Sequence, residues 1–189
     1  HEDARPETYW LVDPIDGTAS WYEGYKGYVT QAAFIEDSKP IFGVIYAPEL
    51  QKTWVGLKGE GAKLNGSIIR NAPLSKKLIF IDNTKNPHGI TKKLMDIMDS
   101  DDYLECGSLG LKSVFVADGT ADLFIKDVVV RDWDLAPAYV ILNEVGCCLS
   151  LTNGEDYVFN GPMEKNEGFV VARNSSLLRK VISSLNTIK

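Results

Sequence analysis

Residues 9–18 read Tyr-Trp-Leu-Val-Asp-Pro-Ile-Asp-Gly-Thr, an apolar run that ends in two acidic residues. The apolar part predicts a buried strand, and Asp13-Pro14 is expected to turn the chain where that strand ends. Gly17 permits a close backbone approach to an anion, and Thr18 adds an N–H and a hydroxyl. The stretch therefore predicts a turn whose carboxylates converge on a ligand, although x-Pro-x-Asp-Gly is also an ordinary surface turn.

A second acidic group lies at Asp134, at the end of Arg131-Asp132-Trp133-Asp134. The pattern over 135–145 predicts a helix with Asp134 as its N-cap and Pro137 in its first turn. Capping alone would account for an aspartate there. A carboxylate at a helix N-terminus can also bind a metal through one oxygen while the other accepts a backbone N–H. Asp134 is therefore a further candidate ligand.

The rest of the chain predicts an antiparallel sheet followed by alternating strands and helices, which places it in the α/β (α+β) class. Strands are expected at 29–35, 41–46, 53–57, 78–81, 103–105, 123–125 and 169–172, with an Asn65-Gly66 hairpin. Helices are expected at 91–98, 108–118 and 176–185. We expect one compact unit with a first sheet lobe over 1–76 and a second α/β lobe over 77–189.

Composition excludes several classes of function. The 20 Lys and Arg residues against 26 Asp and Glu residues give a net charge of −6 without a basic stripe, so a nucleic-acid polymer is not an expected partner. An acidic protein that handles phosphate esters needs local positive charge, which bound metal ions can supply. Without an 18-residue apolar run or a signal-peptide pattern, no membrane association is expected. Three cysteines without disulfide spacing favour the cytoplasm.

Taken together, these segments resemble the paired signatures of the inositol monophosphatase superfamily. The resemblance rests on Asp-Pro-Ile-Asp-Gly-Thr at 13–18, Trp-Asp-Leu-Ala-Pro-Ala at 133–138 and Glu-Val-Gly at 144–146, and it extends through 43–48, 59–62, 107–108 and 169–174. It implies the layered αβαβα sandwich of the inositol monophosphatase and fructose-1,6-bisphosphatase type. It also implies a magnesium-dependent phosphomonoesterase in which water attacks a small phosphate ester directly, either inositol monophosphate or 3′-phosphoadenosine 5′-phosphate.

The resemblance implies a role for each candidate site residue. Asp13 would bridge two of two or three Mg²⁺ ions, the carbonyl of Ile15 would hold one of them, and Asp16 and Asp134 would hold the other. Asp13, Asp16 and Thr18 would form the catalytic set, with the Thr18 hydroxyl orienting the attacking water. The residues expected to bind substrate are Gly17, Thr18, Gly107, Ser108, Asp127 and Asp134. Inhibition by lithium is also expected.

The sequence departs from the family at two places. The Glu-Glu element that usually precedes the first motif has no clear counterpart, so the N-terminal helices are expected to be missing, or Glu2-Asp3 is the remnant of a shortened version. Cys147-Cys148 stands where a glycine commonly follows Gly146, which predicts a local packing change. A catalytically incomplete relative that binds metal or phosphate without turnover stays open as the alternative.

Other phosphatase chemistries fit less well. A haloacid-dehalogenase-type phosphatase is a minor alternative, because its aspartates lie two positions apart whereas Asp13 and Asp16 lie three apart. The substrate stays open: residues 39–48 look closer to the 3′(2′),5′-bisphosphate nucleotidase branch, while Asp127, seven positions before Asp134, suits a polyol. A small phosphate ester is the expected partner, and a homodimer is an open alternative.

Overall fold

The computed structural model of the chain describes residues 5–188. Residues 8–68 form an antiparallel meander in which each strand pairs with the next. Its strands are β1 (Thr8–Asp16), β2 (Val29–Glu36), β3 (Lys39–Ala47), β4 (Lys52–Leu57), β5 (Gly61–Leu64) and β6 (Ser67–Ile68), and the short helix α1 (Thr18–Tyr22) lies between β1 and β2. The predicted hairpin joins β5 to β6, and its residues Asn65 and Gly66 have the positive φ angles of 48° and 82° that such a turn requires.

The second sheet is mixed and has five strands, in the order β11-β13-β9-β7-β8. The strand β7 runs parallel to both of its neighbours, while the other pairs are antiparallel. The elements of this half are β7 (Phe80–Asp82), α2 (Gly89–Ile97), β8 (Tyr103–Glu105), α3 (Leu109–Ala117), β9 (Leu123–Lys126), β10 (Val130–Arg131), α4 (Asp132–Glu144), β11 (Cys148–Leu151), β12 (Glu164–Lys165), β13 (Phe169–Ala172) and α5 (Ser175–Ile188). Within residues 5–188, no helix has the length and apolar character needed to cross a membrane.

The helices form two layers. Helices α3 and α4 pack between the two sheets, and α2 and α5 pack on the other face of the second sheet. The main core runs through the inner helical layer, from Trp54 of the first sheet past Leu135 and Ile141 of α4 to Phe124 of the second sheet. The resulting β-α-β-α stack confirms the predicted layered α+β sandwich. The division into lobes at residue 76 stays a prediction.

One face of the first sheet is exposed and apolar. Trp10 is 57% exposed and Val12 56%. Trp10 contacts an aromatic ring from each of the next two strands, Phe34 of β2 at 5.1 Å and Phe42 of β3 at 6.0 Å between ring centroids. The Glu2-Asp3 pair, proposed above as a remnant of an upstream element, lies outside the described residues.

Two glycines allow α4 to lie close to the opposite face of the first sheet. Gly43 and Gly56 are paired in β3 and β4. A Cβ on Gly43 would lie 2.2 Å from the carbonyl oxygen of Pro137, and one on Gly56 would lie 3.0 Å from the Cα of Ile141. Any side chain at these positions would push the helix away. This contact fixes the position of the helix that carries Asp134.

The turn predicted at Asp13-Pro14 is wrong, because β1 continues to Asp16. The register gives the reason: Asp13 pairs with Gln31 and Asp16 with Val29, so three steps along β1 match two along β2. The extra residue is a β-bulge, which tolerates a proline without an N–H on this edge strand. Residues three apart in a regular strand point to opposite faces. The bulge therefore turns Asp13 and Asp16 to the same inner face.

The predicted N-cap at Asp134 is also wrong. Helix α4 begins at Asp132 with Arg131 as the N-cap, and Asp134 occupies the third helical position. Its Oδ2 accepts the backbone N–H of Arg131 at 2.8 Å. Pro137 consequently lies beyond the first turn, where its missing N–H leaves a helical carbonyl without its usual partner.

Candidate active site

Three carboxylates predicted from the two motifs meet in one place. Asp13, Asp16 and Asp134 each offer an oxygen that lies within 4.8 Å of the other two. Asp13 is half-buried, while Asp16 and Asp134 are 7% and 8% exposed. The β1 bulge and the first turn of α4 bring them together across the junction between sheet and helix.

Asp16 is held by the N-terminus of α3. Its Oδ2 accepts the hydroxyl of Ser108 at 2.5 Å and the N–H of Gly110 at 2.8 Å, and its Oδ1 accepts the N–H of Leu109 at 3.4 Å. Ser108 also caps the helix by accepting the N–H of Leu111 at 2.9 Å. The partial positive charge of a helix N-terminus stabilises a carboxylate at this position. Because Oδ2 is saturated with donors, Oδ1 is the oxygen left to bind a ligand.

Mutual repulsion and burial act on the other two acids. Burial, followed by the charges of Asp16 and Asp13, raises the pKa of Asp134 to about 6. Burial and the charge of Asp16 also raise the pKa of Asp13 above its ordinary value. Both shifts arise because the negative forms are disfavoured when no cation is close.

The backbone of the site is tightly packed around glycines. Gly17 has a φ of 85°, and a Cβ there would lie 2.9 Å from the carbonyl oxygen of Gly27. A Cβ on Gly107 would lie 2.1 Å from the hydroxyl oxygen of Ser20. The same Gly27 carbonyl accepts the N–H of Ser108 at 2.6 Å. Glycine is required here because the two loops contact each other through their backbones.

A buried lysine supports the same loop from below. Lys112 is 1% exposed, and its Nζ donates to the carbonyl of Gly107 at 2.6 Å and that of Cys106 at 3.3 Å. Burial lowers the pKa of this ammonium to about 8. Its place beneath the loop fixes which way the 106–108 peptides face.

Comparison of the sequence with known protein families agrees with this geometry. The profile of the Inositol monophosphatase family matches residues 2–189. The chain belongs to the inositol monophosphatase family. This match, together with the solved structures described next, confirms the predicted fold and the resemblance to the inositol monophosphatase superfamily.

Relatives of the chain within the inositol monophosphatase family have several names. The 3′(2′),5′-bisphosphate nucleotidase CysQ of Aggregatibacter actinomycetemcomitans is 30% identical over 170 residues, which cover 86% of this chain and 61% of that protein. The fructose-1,6-bisphosphatase/inositol-1-monophosphatase of Thermotoga maritima is 28% identical over 154 residues, or 80% of this chain and 60% of that protein. Staphylococcal SaIMPase-II, solved with bound inositol monophosphate, superimposes with a TM-score of 0.81 at 26% identity over 96% of this chain and 70% of its own. The chain thus spans about three fifths of the length of these two curated relatives.

The donor set of this family member fits a hard divalent cation. All three groups offer carboxylate oxygen, the ligand type that Mg²⁺ prefers. Three acids within 4.8 Å of one another, two of them buried, also carry repulsion that a cation would relieve. Ile15, predicted to offer its carbonyl, lies in the bulge, where that carbonyl accepts the Thr18 hydroxyl at 3.1 Å. The Ile15 N–H donates to Asp13 Oδ1 at 3.0 Å.

Two residues predicted to bind substrate have different surroundings. Ser108 is 1% exposed and its hydroxyl is bonded to Asp16. Asp127 is exposed just beyond the end of β9, outside the three-carboxylate cluster. Their roles toward a substrate stay predictions.

The sequence interpretation missed Gln31. This residue is 1% exposed on the inner face of β2, opposite Asp13. The sequence did contain a signal for this residue. Buried and more exposed positions alternate along β2, and Gln31 is a polar residue at a buried position between Val29 and Ala33.

Proposed function

We propose that this protein is a magnesium-dependent phosphomonoesterase that hydrolyses a small phosphate ester. The observation that carries the proposal is the cluster of Asp13, Asp16 and Asp134, three carboxylates in mutual reach. Of these, the two buried ones accept hydrogen bonds only from neutral donors among the described residues. In this proposal Asp13, Asp16 and Asp134 would hold the magnesium ions through their carboxylate oxygens. Magnesium ions bound there would supply charge neutralisation of the phosphate, activation of water and stabilisation of the leaving oxygen.

The two residues that follow the β1 bulge, Gly17 and Thr18, have a defined task in this proposal. Thr18 donates its hydroxyl hydrogen to the Ile15 carbonyl at 3.1 Å. The lone pairs of Thr18 Oγ1 are therefore the part of the hydroxyl that can accept a hydrogen from the attacking water. Gly17 and Thr18 would present their backbone N–H groups to the phosphate. The close packing of Gly17 on Gly27 supports a rigid cradle.

Asp127 is proposed to select the substrate. An exposed carboxylate can accept hydrogen bonds from the hydroxyls of a polyol, whereas it repels a second phosphate. The relatives include a bisphosphate nucleotidase, and SaIMPase-II has been solved both with inositol monophosphate and with 2′-AMP. Because the charge of Asp127 disfavours a second phosphate, we propose a monophosphate of a sugar or polyol as the preferred ester, with nucleotide phosphates as poorer substrates.

The test is release of inorganic phosphate from inositol 1-phosphate and from 3′-phosphoadenosine 5′-phosphate over a magnesium titration. Turnover that requires Mg²⁺ and is lost with Asp13→Asn is expected. The acidic cluster found among residues 5–188 has three carboxylates, which supports a second candidate, binding of metal or phosphate without turnover. Calorimetry with Mg²⁺ and phosphate separates the two candidates. Heat of binding without phosphate release supports the second candidate, and the absence of both binding heat and phosphate release contradicts both candidates.

A further inference from the structure

Gln31 contacts both segments that carry the buried acids. Its Nε2 donates to Asp16 Oδ2 at 3.2 Å, to the Trp133 carbonyl at 3.3 Å and to the Asp134 carbonyl at 3.4 Å. It also pairs in register with Asp13 across β1 and β2. One neutral carboxamide therefore joins the carboxylate of Asp16 to the backbone of Asp134, on the strand that pairs with Asp13.

Pro137 explains why a side chain is needed at this point of α4. In an α-helix, the N–H of residue 137 would donate to the carbonyl of residue 133. Proline has no N–H, so the Trp133 carbonyl loses that partner within a buried turn. Gln31 supplies a donor to this same carbonyl from a different element. A side chain of β2 thus supplies the hydrogen bond that the first turn of α4 lacks.

The orientation of the carboxamide follows from its neighbours. With Nε2 toward three acceptors, Oε1 lies on the side of Gly110, where a Cβ would be only 2.1 Å away. Oε1 is buried and has no hydrogen-bond partner among residues 5–188. The reverse orientation would place the amide oxygen against a carboxylate and two carbonyls, which is strongly unfavourable. The absence of a side chain at Gly110 leaves the space that Oε1 occupies.

We propose that Gln31 is a positioning residue that ties Asp16 to the first turn of α4 and so sets the separation of Asp16 from Asp134. This inference rests on the proposed magnesium site. A carboxamide suits the task because it donates to the Asp16 carboxylate and to the backbone of α4 without neutralising the negative charge that the cations need. Residues that orient metal ligands change metal affinity by about 10–100-fold when they are lost.

The test is the dissociation constant of Mg²⁺, measured by calorimetry on the whole chain without substrate. Gln31→Met keeps the length of the side chain and removes its donor, and we expect affinity to fall about tenfold with circular dichroism unchanged. Gln51→Met is the matched control, because Gln51 is exposed in the turn before β4. Unchanged affinity in Gln31→Met, with or without a loss of stability, would overturn the proposal. If Gln31→Met does not fold, Gln31→Asn, which keeps the amide but shortens its reach, is measured with the same expectation of weaker binding.

The link to α4 is tested separately in a Pro137→Ala background. Alanine restores the N–H that the Trp133 carbonyl lacks, so one task of Gln31 becomes redundant. We expect Gln31→Met to weaken Mg²⁺ binding less in this background than in the wild type. An equal effect in both backgrounds would show that Gln31 acts on Asp16 alone and would overturn the bridging role. Failure of the wild type to bind Mg²⁺ would instead contradict the proposed function.

Discussion

The buried aspartates of this protein fall into two groups with opposite surroundings. Three of them form ion pairs inside the fold: Asp82 with Lys126 at 2.6 Å, Asp122 with Arg173 at 3.4 Å, and Asp132 with Arg5 at 2.6 Å. The other two, Asp16 and Asp134, have no lysine or arginine within ion-pair distance in the part of the chain that the structure describes. They lie instead beside a third acid, Asp13.

This difference separates structural acids from acids that serve a ligand. Taking a carboxylate out of water costs several kcal/mol unless an opposite charge compensates for it. In the paired group the chain provides that charge itself. In the cluster it provides only hydrogen-bond donors and adds further negative charge. Burial and the neighbouring negative charge raise the pKa values of Asp13 and Asp134, a cost that a cation from solution would reduce. Burial also raises the pKa of the paired Asp132, so the sign of the neighbouring charge is what separates the two groups.

The largest expected effect comes from Asp13→Asn. The amide keeps the volume and an oxygen for the Ile15 N–H, but it removes a negative charge from the proposed metal site. We expect phosphate release to fall about 1,000-fold or more. Because a source of repulsion is removed, the metal-free free energy of unfolding should not decrease.

The matched control for this substitution is Asp37→Asn. Asp37 is exposed in the turn between β2 and β3, and its φ of 47° suits asparagine. Its activity and stability should match those of the wild type. Wild-type phosphate release by Asp13→Asn at limiting magnesium would contradict the assignment of the cluster.

A structural pair should respond in the opposite way. Arg173 and Asp122 are 1% and 0% exposed, so Arg173→Met leaves a buried carboxylate without its cation. We expect the free energy of unfolding in urea to fall by about 3 kcal/mol, and added Mg²⁺ not to restore it. Arg179→Met, on the exposed side of α5, is the control. A loss below about 1 kcal/mol would remove the distinction between the two groups of acids.

The pH dependence of metal binding gives an intermediate effect. Since the pKa of Asp134 in the fold is about 6, against an ordinary value of 3.8, its ionisation destabilises the metal-free protein as the pH rises between these values. Mg²⁺ requires the ionised form, so its affinity should be full above pH 6 and fall below it, by up to about tenfold per pH unit. Calorimetry between about pH 5 and pH 8 measures this. A flat affinity across that range would show that Asp134 is not a ligand.

Local signals in the sequence predicted most of the elements, whereas features defined across the chain were missed. The Asn65-Gly66 hairpin and the strand at 169–172 depend on adjacent residues, and both were predicted correctly. The bulge in β1 depends on its register with β2, which no local pattern contains. The start of α4 was missed because the buried Asp132 is satisfied by Arg5 and Tyr157, both distant in sequence.

The candidate site shows the same division. The two acidic motifs could be recognised because the carboxylates of the cluster are adjacent to characteristic glycine and proline positions. Gln31 could not be assigned a role from the sequence, because its partner Trp133 lies 102 residues away. The proposed role of Gln31 follows only when the fold shows that its amide reaches the Trp133 carbonyl, which Pro137 leaves without a helical partner.

The smallest expected effect concerns Asp127, an acid that belongs to neither group. It is exposed beyond the end of β9, where water solvates its charge, so we expect neither folding nor magnesium binding to depend on it. Asp127→Asn removes the repulsion toward a second phosphate while keeping a group that can bond to hydroxyls. We expect the ratio of kcat/KM for inositol 1-phosphate to that for 3′-phosphoadenosine 5′-phosphate to fall by about 3–10-fold, with the magnesium dependence unchanged. An unchanged ratio would remove Asp127 from the substrate site, and a changed magnesium dependence would instead place it among the metal ligands.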